Sequence, residues 1–434
     1  AARPGPGFVS RRRTAYVPRM LLTGLLMLPD RARPGSVRLA PGRVRVEGER
    51  IAGVEELQDL RVTPETPLIT PGFVDAHLHL PQFDSVGVAG LELLEWLRRV
   101  VFPAEARWAD PAYAEAMTRR VLAQLAAHGT TAFAGYATSH HEGARAAIRL
   151  AAEAGFRATI GQVLMDRNAA PELTGTPAHE QLGRAASLRA HGRVEPSVTP
   201  RFAVACTPEL LAGAGRLAAE TGWAVQTHLS ETRAELAAVR DLFGETPYAR
   251  VYDEAGLLTP RTILAHGIWL GGEDRALIAE RRAVIAHCPT ANLFLESGAF
   301  DAHAAAAAGI AVALGSDIAG GFERSMPRVA RAMLQTVITR RLGLAGALPA
   351  PERPSPEPAA EPDEAALPPL PSAAQAFHAI TAGNADVLGW RETGRIEPGA
   401  EADLLVLHPD IPYLESQDPL GALLWSWDDR WLRR

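Results

Sequence analysis

Short apolar runs separated by helix-length amphipathic stretches fill the middle of the chain. Eight of them can be placed, at residues 69–80, 130–138, 156–165, 193–202, 223–230, 262–270, 283–289 and 310–317. Strands that alternate with helices make right-handed parallel βαβ units, and eight such units close into a (β/α)₈ TIM-like barrel. The flanks read differently. Between residues 16 and 62 short β-type stretches such as SVRLA and RVRVEGERIAGV alternate with Gly and Pro turns, and a matching stretch returns at 394–408. The pattern predicts an α/β protein: a barrel over 70–385 and a small β-sandwich built jointly from 16–69 and 386–434. Residues 1–15 read as a flexible tail, and the Pro-, Ala- and Glu-rich stretch 346–372 as a loop outside the barrel, because neither can bury enough apolar surface to pack.

Chemistry-bearing residues gather at the C-terminal edges of four of these runs, where barrel active sites form. The first run ends in His77-Leu78-His79, and residues two apart on a strand face the same side. The fifth run supplies His228, the sixth His266 and the eighth Asp317. Imidazoles with a carboxylate suit a divalent first-row metal, with zinc the default and iron a second choice, and leave a position open for water. We assign His77, His79, His228 and Asp317 to the metal and His266 to its surroundings, although the spacing alone leaves a direct His266 bond open. Glu231 follows His228 by three residues and is a candidate proton carrier. His266 and Asp317 are candidates to orient a water and accept its proton. Asp75 is read as a support for the strand end, His128 as a helix cap, and His287 as either a pocket or a structural residue.

Composition narrows this reading. The chain has no lysine, which removes barrel sites that bridge two metals through a carboxylated lysine and favours a single ion. A net charge of -6 argues against nucleic acid as a partner. Two cysteines, Cys206 and Cys288, are too few for a thiolate metal site or a disulfide framework and are expected to be buried and free. No apolar run approaches a membrane span; residues 20–29 (MLLTGLLMLP) come nearest and read as a buried strand, with no cleavage site after them. A cytoplasmic enzyme is expected. His140-His141-Glu142 contains the His-x-Glu half of a cytidine-deaminase zinc motif, but no Pro-Cys-x-x-Cys follows it.

The motifs PGFVDAHLHLPQ (71–82), LLEWLRRVVFPAE (93–105), SVTPRF (197–202), QTHLSE (226–231), ILAHG (263–267), AHCPTANL (286–293) and GSDIAGG (315–321) resemble the amidohydrolase superfamily and, within it, the guanine deaminase family. The resemblance implies one Zn²⁺ per chain, with Fe²⁺ as the alternative, on His77, His79, His228 and Asp317. It implies Glu231 as proton shuttle, and Gln82, Arg201 and Phe202, with His228 and Glu231, around a purine. It further implies hydrolysis of guanine to xanthine and ammonia, and a homodimer. Other amino-heterocycles, such as 8-oxoguanine, a pterin or a triazine, would use the same metal set, and a metal-free binding protein derived from the barrel is a remote third reading.

Overall fold

The computed structural model describes residues 19–344 and 367–432. The expected tail at 1–15 and all of 346–372 except residues 367–372 lie outside the described residues. The N-terminal strands are β1 (Arg19–Pro29), β2 (Val37–Glu47), β3 (Arg50–Glu56) and β4 (Leu68–Pro71). The barrel strands follow as β5 (Phe73–His79), β6 (Thr130–Tyr136), β7 (Arg157–Gly161), a two-residue β8 (Val163–Leu164), β9 (Val194–Pro200), β10 (Ala224–Leu229), β11 (Thr262–His266), β12 (Val284–His287) and β13 (Ala311–Leu314). The last strand, β14 (Leu404–Leu407), belongs to the small sheet.

Eight strands run in sequence order, β5-β6-β7-β9-β10-β11-β12-β13, and every neighbouring pair is parallel, with β8 pairing to one side of β9. The ring closes between the first and last of them. Asp317 N–H donates to the His77 carbonyl at 2.8 Å, and His79 N–H to the Ile318 carbonyl at 2.6 Å. Below this seam the Asn384 side chain bonds both strands, donating to the Val74 and Leu314 carbonyls at 2.7 Å each and accepting from Leu314 N–H at 2.8 Å. Small apolar side chains fill the interior, Ala76, Ala134, Ala286 and Ala313 among them, as a packed ring requires. Helices wrap the outside and are started by local caps. Asp110 and Thr207 each precede a proline at the first helical position, and Thr232 with Glu235 forms a capping box.

The small domain draws on both ends of the chain, as expected. Its five-stranded sheet has the order β14-β4-β1-β2-β3 and is antiparallel except where β1 runs parallel to β4. Alternation along β1 sorts its residues to two faces. Leu25 and Met27 join a cluster with Met326, Phe377 and Trp427, while Leu26 and Leu28 join Val44, Ile51 and Ile396. After β14 the chain returns to pair Leu432 with Leu407. Among the described residues no helix is long and apolar enough to cross a membrane.

Candidate active site

Four strand ends bring the sequence candidates together. His77 and His79 leave the end of β5 on one face, His228 lies near the end of β10, His266 ends β11, and Asp317 stands just beyond β13. All are buried or nearly so. Asp317 Oδ1 is 3.2 Å from His77 Nε2 and 3.5 Å from His79 Nε2. His79 Nε2 and His228 Nε2 face each other at 3.0 Å. Two donor trios are compact enough for a single ion: His77, His79 and Asp317, and His77, His228 and His266. The backbone turns sharply where these side chains emerge, since Ser230, His266 and Asp317 all have positive φ, at 52°, 71° and 49°. Non-glycine residues in that region are strained, and such strain collects at functional sites.

The donor set fits a divalent metal. His228 Nδ1 bonds the Arg201 carbonyl at 2.7 Å, which puts its proton there and leaves a lone pair on Nε2. His266 is oriented in the same way by Asn292 Oδ1, 2.8 Å from its Nδ1. Neither ring nitrogen of His77 makes a hydrogen bond, nor does His79 Nδ1, although all three are buried. Buried polar atoms are normally paired, and His77 Nε2, 3.2 Å from Asp317 Oδ1 without a hydrogen bond, has the chemistry of a donor that a divalent cation would satisfy. Burial holds His77, His79 and His228 well below the usual imidazole range, in the neutral form that a metal ligand needs.

Glu231 lies beside this cluster, only 3% exposed, with Oε2 3.4 Å from His266 Nε2. Burial first, and then the charge of Asp317, push its carboxyl up to about 8. A glutamic acid so placed holds a proton at neutral pH and can give it up. Its other oxygen accepts from Ser297 Oγ at 2.9 Å, and its backbone N–H is held by Glu235 Oε2 at 2.6 Å.

These groups open into a partly open cavity lined by His79, Gln82, Arg201, Phe202, His228, Glu231, His266 and Asp317, with Leu93, Trp96, Leu97 and Leu295 as an apolar wall. An apolar wall with a few convergent polar groups suits a small ring with polar edges. Sequence reasoning missed Glu105, Ser297, Asn292 and Glu235. Glu105 is fully buried beside Gln82 and Arg201. Glu105, Ser297 and Asn292 make their site contacts through tertiary proximity, whereas Glu235 reaches the Glu231 backbone from four residues away and carries a local signal, the capping box with Thr232.

The remaining candidates are structural. Asp75 Oδ1 accepts from Ser316 N–H at 2.9 Å and His77 N–H at 3.2 Å, bracing the seam behind His77. His287 stacks on Phe300, and His128 Nδ1 lies 2.7 Å from the Gln124 carbonyl at its helix end. Both cysteines are free and buried.

A sequence profile of the amidohydrolase family matches residues 68–424. Guanine deaminase of Escherichia coli (strain K12) is 31% identical over 445 aligned positions, covering 98% of this chain and 94% of that protein. Guanine deaminase of Dictyostelium discoideum is 36% identical over 286 residues, and there the match spans 64% of this chain and 63% of that protein. A solved guanine deaminase from C. acetobutylicum, with guanine bound in its active site, has a TM-score of 0.83 at 27% identity and covers 96% of this chain and 97% of that one. The ring of eight parallel strands, the histidines at its mouth and a profile match running through both have one common explanation: the chain belongs to the amidohydrolase family.

Proposed function

We propose that this chain hydrolyses guanine to xanthine and ammonia, with one zinc ion per chain held by His77, His79, His228 and Asp317. The observation that carries the reading is the meeting of those four side chains beside a buried Glu231 in one cavity. The guanine deaminases it resembles over most of its length support the choice of substrate. Zinc is favoured by a donor set of imidazoles with one carboxylate, and Fe²⁺ is the alternative. A divalent ion bound there would supply Lewis acidity and bring the pKa of water down to about 7.

The chain's own groups then manage binding and protons. Phe202 and the apolar wall offer faces for the ring, while Gln82 and Arg201 read its polar edge. Asp317 and His266, with Oδ2 and Nε2 3.9 Å apart, orient the attacking water and take up its proton. Glu231 protonates the ring nitrogen next to the amino-bearing carbon as the new C–O bond forms. The proton held by Asp317 and His266 passes to the amino group, the adduct's hydroxyl returns its proton to Glu231 as the C=O forms, the C–N bond breaks, and ammonia leaves. General acid and base transfer of this kind is worth about 10² to 10⁴ in rate.

The reading extends to a cytoplasmic homodimer. Two free buried cysteines suit a reducing compartment, and the dimer rests on the resemblance alone, which light scattering tests. Ammonia release from guanine, 8-oxoguanine, adenine, cytosine, a pterin and a triazine tests the substrate. Guanine is expected to lead the panel, and a preference for any other ring would overturn the assignment.

A further inference from the structure

Behind the cavity wall three polar side chains from distant parts of the chain share one buried contact. Gln82 lies in the turn Leu80–Ser85 that follows β5, Arg201 directly follows β9, and Glu105 sits in the short helix Phe102–Ala106. Their exposures are 1%, 2% and 0%. Both Glu105 oxygens lie 2.8 Å from Arg201 Nη1, and Oε1 also accepts from Gln82 Nε2 at 3.1 Å. Gln82 and Arg201 line the cavity, whereas Glu105 stands behind them.

A free glutamine amide offers a donor or an acceptor with equal ease, since the group can turn over. Ion-paired Glu105 is an acceptor only, so it takes the amide NH₂ and leaves Gln82 Oε1 for the cavity. The same carboxylate engages Arg201 through Nη1 alone, which leaves the other guanidinium nitrogens as donors. We propose that Glu105 is a positioning residue that sets the hydrogen-bond polarity of the site, locking Gln82 Oε1 as a fixed acceptor for a ring N–H of the heterocycle. A ligand with a bare ring nitrogen at that point would set lone pair against lone pair, and a site built to bond one group rejects an analogue lacking it by about 10⁴. This deepens the guanine reading and rests on it.

The test compares guanine with 2-aminopurine and 9-methylguanine, each of which keeps the reacting 2-amino group and lacks one ring N–H. Wild type, Glu105→Gln and Glu105→Asp are assayed for kcat and KM, with metal content and Tm recorded. Glu105→Asp keeps the charge that Arg201 needs, so it answers the question if Glu105→Gln does not fold. The expected result is a drop in guanine kcat/KM of about 10- to 100-fold, carried mainly by KM, with the preference for guanine over at least one analogue narrowed by about tenfold. Unchanged preference over both analogues, whatever the fall in rate, would overturn the proposal. A wild-type chain that turns over guanine while the variants keep its preferences removes only the role of Glu105. A wild-type chain without guanine turnover removes the functional reading and this proposal together.

Discussion

His77 and His79 were legible in the sequence because two histidines flanking one leucine at a strand end share a face. His228, His266 and Asp317 were legible because each is supplied by a separate run of its own. Glu105 was not. A glutamate within LLEWLRRVVFPAE looks like any charge on a short helix, and its partners lie 23 and 96 positions away. Ser297 and Asn292, which hold Glu231 and His266, are hidden for the same reason. Glu231 itself stood out by its spacing from His228 and by the resemblance; what raises its carboxyl is burial, which no short motif encodes. Replacing Glu231 with Gln keeps size and removes the titrating proton. Turnover should fall by about 10² to 10⁴ while the metal content stays unchanged. Near wild-type turnover in that variant would end the assignment of Glu231 as proton carrier.

At the level of elements the strand order was readable but two boundaries were not. The apolar run at 69–80 is one stretch in sequence and two strands in space: β4 pairs with β1 and β14 in the small sheet, and β5 opens the barrel. Residues on both sides of the break are buried, so hydrophobicity carries no mark of it. Only Gly72 does: a Cβ there would stand 2.1 Å from Thr131 Oγ1. The run at 156–165 likewise splits into β7 and β8 after Gly161. Gly161 faces the barrel wall at still closer range, and a methyl group on its Cα would fall 1.9 Å from Thr199 Oγ1 and 2.6 Å from Ser197 Oγ. Gly161→Ala is therefore expected to destabilise the chain by about 1 to 3 kcal/mol in denaturant unfolding. A change within about 0.5 kcal/mol would show that β9 yields without cost.

Across the whole molecule, the joint between the small domain and the barrel carries its own charge signature. Glu401, 4% exposed, is bonded by Arg157 and by Thr393 Oγ1, and Arg193 lies 3.1 Å away. Burial pushes its carboxyl up, but the hydrogen bonds from Arg157 and Thr393 and the two arginine charges outweigh it and hold it at about 2. A carboxyl depressed on folding contributes stability above its ordinary value near 4.5 that is lost as pH falls toward about 2. Thermal melts should show Glu401→Gln less stable than wild type at pH 7, with the gap closing in acid; a gap that stays constant with pH would contradict this account.

The claim on which all of this depends is that His77, His79, His228 and Asp317 hold one ion at the mouth of the ring. Elemental analysis of the purified wild type beside His79→Ala tests it most directly. The account predicts one divalent ion, zinc in the first place, per wild-type chain, with most of it lost in the variant. A metal-free wild-type chain that still releases ammonia from guanine at full rate would contradict it.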